Sequence, residues 1–141
     1  MAELTFAEAI NKADKELHAA GIDDARYEAR NLFLLLADFS STDLISAETK
    51  LISNDLAISY AHAIERRCSG EPFQHIVGTT EFFGLSLKTD ARALIPRPDS
   101  ECVVELALEQ LNHEHNGKVA DLGTGTGALL SAILHNRPNS L

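Results

Sequence analysis

The sequence predicts an α/β chain: an N-terminal all-α helical bundle, a β-hairpin linker, and the first β-strand and helix of a doubly wound fold. Three observations predict it. Apolar residues recur at helical spacing up to Gly70. Two short alternating segments then flank Gly84. Last, a short apolar run enters Gly123-Thr124-Gly125-Thr126-Gly127 and continues as an apolar helix. The corresponding boundaries are 1–70 for the helical domain, 71–92 for the hairpin linker and 93–141 for the start of the α/β domain.

Thr5-Phe6-Ala7-Glu8 fits a capping box, in which the threonine oxygen accepts an amide three residues on and the glutamate reaches back. Ile10, Ala13, Leu17 and Ala20 follow on one face, and Gly21 ends the helix. Asp24 is placed to cap a second helix that turns Ala25, Ala29, Leu32 and Leu36 inward. A short third helix starts near Ser41 or Thr42. Ser53 caps a fourth, with Leu56, Tyr60, Ala61 and Ile64 inward, and Gly70 stops it.

Pro72 has no amide hydrogen and biases Glu71 to extended geometry, so the helical region closes there. Residues 79–83 and 85–89 read as two strands, with Leu85, Leu87 and Thr89 on one face. Phe82 and Phe83 read as hairpin packing. Pro96 and Pro98 stiffen the chain around Arg97, and Asp99 or Ser100 caps a helix carrying Val103, Val104, Ala107, Leu108 and Leu111. Asn116-Gly117 closes that helix, Lys118–Leu122 is a strand, and residues 128–134 form the helix after the glycine turn.

The net charge of −9 over 141 residues gives no electrostatic reason to bind nucleic acid or an anionic membrane. No apolar run approaches the roughly 20 residues that span a bilayer. Met1-Ala2-Glu3-Leu4 lacks the basic and apolar regions of a signal peptide. A cytoplasmic location is expected. Cys68 and Cys102 read as buried reduced thiols, His113 and His115 as solvated turn residues, and no metal site is expected. His75 reads as structural, and Arg66-Arg67 as a charge pair at a helix C-terminus.

The glycine turn admits more than one ligand class. Gly123-x-Gly125-x-x-Ala128 satisfies the loose dinucleotide pattern. Asp121-x-Gly123-x-Gly125-x-Gly127 is a tighter description, and an acidic residue at the strand end suits a ligand with an ammonium group, as S-adenosylmethionine has. The same carboxylate would repel a pyrophosphate. A turn that only packs a helix onto a sheet is the third possibility.

Further strings carry a resemblance. They are Arg66-Arg67-x-x-Gly70-Glu71-Pro72, His75-Ile76-x-Gly78, Glu81-Phe82-x-Gly84-Leu85, Leu94-Ile95-Pro96-Arg97-Pro98-Asp99-Ser100-Glu101 and Asp121-Leu122-Gly123-Thr124-Gly125-Thr126-Gly127. In order and interval they closely resemble the release-factor glutamine methyltransferases of the HemK/PrmC type. The likeness is strong from Arg66 onward and architectural before it.

The resemblance implies a methyl transfer from S-adenosyl-L-methionine to the glutamine side-chain nitrogen in the Gly-Gly-Gln loop of a peptide chain release factor. It implies a helical domain that helps engage the release factor, a hairpin linker and a Rossmann-like catalytic domain. Asp121, Gly123, Thr124, Gly125, Thr126 and Gly127 would border the cofactor. Pro96, Arg97, Pro98 and Glu101 would border the active-site cleft. No direct nucleic-acid or membrane partner is implied, and a full-length monomer is. The family's Asn-Pro-Pro-Tyr motif and second acidic strand do not occur in these 141 residues. No catalytic residue is therefore assigned, and the chain by itself is expected to be inactive, cut after the first glycine-rich motif. The rival expectations are a helical partner-binding module without activity and part of a nicotinamide-dinucleotide-binding domain.

Overall fold

The computed structural model describes residues 4–111 and 118–138. The chain divides into two compact units, Met1–Val77 and Gly78–Leu141.

The first unit is helical: α1 (Phe6–Ala19), α2 (Ala25–Ala37), α3 (Ser41–Ala47), α4 (Asn54–Cys68) and α5 (Phe73–Val77). The capping box of α1 is formed. Thr5 Oγ1 accepts from the Glu8 amide, and Glu8 Oε2 accepts from the Thr5 amide at 2.8 Å. Ser40 and Asp43 repeat the device at α3, and Ser53 Oγ accepts from the Leu56 amide at α4. Asp24 stands at the N-cap of α2 but makes no side-chain cap bond. Gly21 and Gly70 take left-handed φ values of 81° and 93° just after α1 and α4, where a Cβ would be strained.

The core of this unit joins Phe6, Ile10, Ala13 and Leu17 of α1 to Ala29, Leu32 and Phe33 of α2, Leu44 of α3, and Tyr60 and Ile64 of α4. Phe33 sits between Phe6 (ring centroids 5.1 Å) and Tyr60 (5.3 Å, nearly perpendicular), an edge-to-face arrangement that aromatic quadrupoles favour. Phe6 N–H donates to the Lys50 carbonyl and Ile52 N–H to the Leu4 carbonyl, each at 2.9 Å, so the segment before α4 clasps the start of α1.

Several expected core positions differ. Leu36 is 39 % exposed, and Phe33 takes the inward place in α2. Ala20 is the exposed C-cap of α1, one step past its buried stripe. Ala61 is exposed while Ala63 is buried, because the inward stripe of α4 runs Tyr60, Ala63, Ile64 and Ala61 is rotated off it. Helix α5 forms where the sequence gives no helix signal. Phe73, Ile76 and Val77 pack against the helical core. Both cysteines are exposed rather than buried: Cys68 lies at the end of α4, and Cys102 lies on the first turn of α6 (Glu101–Gln110).

The second unit opens with the hairpin β1 (Thr79–Phe82) and β2 (Leu85–Lys88), antiparallel with Phe82 opposite Leu85. The two-residue turn is Phe83-Gly84, with φ of 49° and 74°. Positive φ at both positions is the twist-matched hairpin turn, and Gly84 takes it without strain. Thr89 is buried and Leu85 and Leu87 are half-buried, while Ser86 and Lys88 are exposed, which is the expected alternation. A single 3-10 turn (Pro98–Ser100) leads into α6, and α7 (Ala128–Asn136) follows the glycine turn. Phe82, Val104, Ala128, Ala132 and Ile133 form the core of this unit.

Residues 118–122 carry no β-ladder, contrary to the strand expected there. A strand exists only through its neighbours, and the described residues supply none beside it. Leu122 is accordingly 95 % exposed. The α6 ending expected at Asn116-Gly117, and His113 and His115, lie outside the described residues. Helix α6 ends at Gln110 with Leu111 as its cap residue.

Candidate functional site

The sequence-predicted site residues occupy two stretches, each leading into a helix of the second unit. The first is the glycine turn. Gly123, Gly125 and Gly127 have φ of 79°, 55° and 77°, all in the left-handed region. Three such residues in five positions fold the chain sharply back on itself. Gly127 is the N-cap of α7, and its N–H donates to the Thr124 carbonyl at 2.8 Å. Asp121 Oδ2 accepts from the Thr124 hydroxyl at 3.0 Å, which pins the carboxylate to the turn.

Buried Ala128, Ala132 and Ile133 hold α7 on the core, so the turn is anchored from its C-terminal side. Gly123, Thr124 and Gly125 are exposed. A Cβ at Gly123 would meet nothing within 4 Å, so its requirement for glycine is conformational. The first amides of α7 lack intrahelical acceptors, as at every helix start.

The donor set suits the methionyl end of S-adenosylmethionine. The Asp121 carboxylate complements an ammonium. The backbone of Gly123 and Gly125 is open to close approach, and the amides at the start of α7 complement a carboxylate.

The second stretch is Ile95–Glu101. Arg97 is extended (φ −90°, ψ 141°) between its two prolines, and its carbonyl accepts from the Ser100 amide at 2.9 Å to close the 3-10 turn. The Arg97 side chain is exposed and makes no hydrogen bond or ion pair among the described residues. Ser100 precedes α6 without a side-chain cap bond. Glu101 turns toward the hairpin instead: its Oε1 accepts from the Phe83 amide at 2.8 Å. Val104, one turn further along α6, is fully buried in the same core as Phe82. The structure thus brings Asp121 to Thr124 and Glu101 to Phe83.

Two contributors escaped the sequence. One is the Phe83 amide: the sequence puts Phe83 at the end of the first strand, whereas β1 stops at Phe82 and Phe83 is the first residue of the turn. The other is Arg137, the C-cap residue of α7. Its Nη2 donates to the Leu108 carbonyl at 2.9 Å and its Nε to the Leu111 carbonyl, so it caps the C-terminal end of α6 from the end of α7.

Among the described residues no group of three or more His, Cys, Asp or Glu side chains could hold a metal ion. No described helix is long and apolar enough to cross a membrane.

Residues 8–78 match the family model of the PrmC N-terminal domain. A release factor glutamine methyltransferase of Bradyrhizobium diazoefficiens is 38 % identical over 127 residues, which is 88 % of this chain and 43 % of the relative. One from Agrobacterium fabrum is 37 % identical over 136 residues, 94 % of this chain and 47 % of the relative. One from Shewanella oneidensis is 39 % identical over 132 residues, 94 % and 46 %. The chain spans a little under half the length of these curated relatives. With the PrmC N-terminal domain model matching residues 8–78, half of the chain, the chain belongs to the PrmC family.

Proposed function

We propose that the protein carrying these residues transfers a methyl group from S-adenosylmethionine to the side-chain nitrogen of the Gly-Gly-Gln glutamine of a peptide chain release factor, in the cytoplasm. The observation that supports this reading is that two stretches, Pro96–Glu101 and Asp121–Gly127, lead into α6 and α7, helices whose buried residues share one core.

Bound at the glycine turn, S-adenosylmethionine would supply a methyl group made electrophilic by its sulfonium. Asp121 would hold the ammonium, held in turn by Thr124. Gly123, Gly125 and Gly127 would admit the methionyl chain against the backbone, with Thr124 and Thr126 offering hydroxyls. A carboxamide nitrogen is a weak nucleophile because its lone pair is delocalised into the carbonyl. The protein's contribution is then largely orientation of that nitrogen toward the methyl group. Pro96 and Pro98 stiffen the Arg97 backbone, so this edge would be preset before substrate arrives. The helical bundle would engage the release factor, and the hairpin would join it to the catalytic part.

The test is incubation of the full-length protein with purified release factor and isotope-labelled S-adenosylmethionine, followed by peptide mass spectrometry. One added methyl on the Gly-Gly-Gln glutamine is expected. Absence of label, or label elsewhere in the release factor, would sink the reading. The 141 residues alone are expected to give no turnover, since they contain no Asn-Pro-Pro-Tyr segment to present the glutamine. Titration calorimetry of the chain with release factor tests the helical bundle separately, and no heat of binding would remove its recognition role.

A further inference from the structure

Glu101 has a partner that an ordinary first-turn glutamate does not need. A carboxylate in the first turn of a helix is favourable through the helix dipole alone and can remain in solvent. Here it is partly buried, and Oε1 accepts the Phe83 amide at 2.8 Å. That amide belongs to the tip of the hairpin, where Phe83 holds a φ of 49° that a bulky side chain rarely adopts. Phe83 lies between the paired residues Phe82 and Leu85, so its amide has no place in the β1–β2 ladder and is satisfied by water or by an acceptor from elsewhere. Glu101 follows Ser100, whose own amide donates to the Arg97 carbonyl. Adjacent residues thus make the two bonds, Glu101 to the hairpin tip and Ser100 to the Arg97 carbonyl. Immediately behind them, Phe82 and Val104 are buried in one core.

We propose that Glu101 is a positioning residue for methyl transfer: by accepting the Phe83 amide, it fixes the hairpin tip to the first turn of α6 and so sets the place of the Pro96-Arg97-Pro98 edge. This role rests on the function proposed above. It assigns Glu101 no contact with substrate or cofactor. What the role requires is an acceptor oxygen at the carboxylate position, not a negative charge.

That requirement separates the variants. Glu101→Gln keeps an acceptor carbonyl at the same length, whereas Glu101→Ala removes it. In the 141-residue chain, amide exchange at Phe83 should speed up in Glu101→Ala and stay slow in Glu101→Gln. In the full-length protein, kcat of Glu101→Ala should fall on the order of 10- to 100-fold, as loss of orientation does. Cofactor affinity by calorimetry should hold, and Glu101→Gln should restore kcat to within about threefold of wild type.

Three outcomes overturn the role. In the first, Phe83 exchange is unchanged in Glu101→Ala. In the second, exchange is fast but kcat is unaffected. In the third, Glu101→Gln protects Phe83 yet is as slow as Glu101→Ala, which would make the charge itself the functional element. A wild-type protein that does not methylate the release factor fails differently: it removes the proposed function, and this role with it, while the Phe83 exchange result still stands.

Discussion

The Arg67 guanidinium clasps the Glu28 carboxylate, with Nε donating to Oε2 at 2.6 Å and Nη2 to Oε1 at 3.2 Å. The pair joins the last turn of α4 to the first turn of α2, and its side chains are only 19 % and 13 % exposed. Arg66, its neighbour in sequence, pairs locally with Glu71 instead, which holds the Glu71 carboxyl below its ordinary range. A bidentate pair withdrawn from water is worth more than a surface ion pair, but chiefly because leaving one half unpaired is costly. Arg67→Met should destabilise the helical unit by about 1–3 kcal/mol in urea unfolding. Replacing Glu28 by Gln as well should recover part of that loss. Strictly additive effects of the two substitutions would show that the pair has no coupling.

The Tyr60 hydroxyl donates to the Ala29 carbonyl at 2.8 Å inside the helical core. Burial pushes its phenol well above the ordinary 10.0. The folded state therefore keeps a proton that the unfolded state releases. Stability from this group is fully present below about pH 10 and declines as pH rises from there toward the folded value. Tyr60→Phe should cost about 0.5–1.5 kcal/mol at neutral pH through the lost hydrogen bond. It should also flatten the alkaline decline. Wild type and Tyr60→Phe falling in parallel above pH 10 would contradict the assignment.

Gly127 combines a φ of 77° with space: a Cβ there would lie 3.7 Å from Ser131 Oγ and 4.0 Å from Thr124 Oγ1, ordinary contacts. The cost of Gly127→Ala is then conformational, about 1–2 kcal/mol for a left-handed alanine. It should fall on the second unit, with exchange faster at Ser131 and unchanged at Ile64. The full-length protein should bind S-adenosylmethionine more weakly, while release-factor binding is retained. Unaltered cofactor affinity would argue against the turn as the cofactor cradle.

Val119 sits in a stretch without a ladder, whereas Ile64 is buried in the helical core. Hydrogen exchange of the 141-residue chain should protect Ile64 far more than Val119. Equal protection would mean that something covers residues 118–122, such as a second copy of the chain, and analytical ultracentrifugation would then reveal the dimer.

Local signals in the sequence located most elements. Thr5 and Ser53 mark helix starts because a side-chain oxygen can satisfy an amide three residues away; the third start, expected near Ser41 or Thr42, is capped by Ser40. Gly21 and Gly70 mark stops because the required φ excludes most other residues. The hairpin followed from its alternation, and the glycine turn from its spacing. Helix phase was less legible: Leu36 and Phe33 are both apolar, and only the direction from which α1 and α4 approach α2 decides which one is buried. The short helix α5 follows a proline and owes its place to the core it packs on.

For the candidate site, the sequence by itself determined the residue types and their order: prolines around Arg97, a carboxylate at Asp121, and glycines where the backbone turns left-handed. These are properties of neighbouring residues and need no partner to be read. Tertiary structure alone decided what each carboxylate does. Asp121 stays with its own turn at Thr124, while Glu101 reaches across to Phe83, 18 positions earlier. It decided likewise that Arg67 belongs to Glu28, that Arg137 caps α6, and that residues 118–122 have no ladder. The physical reason is the same throughout. Hydrogen-bond and ladder partners are chosen by proximity in space, and packing of the apolar faces, not distance along the chain, sets that proximity.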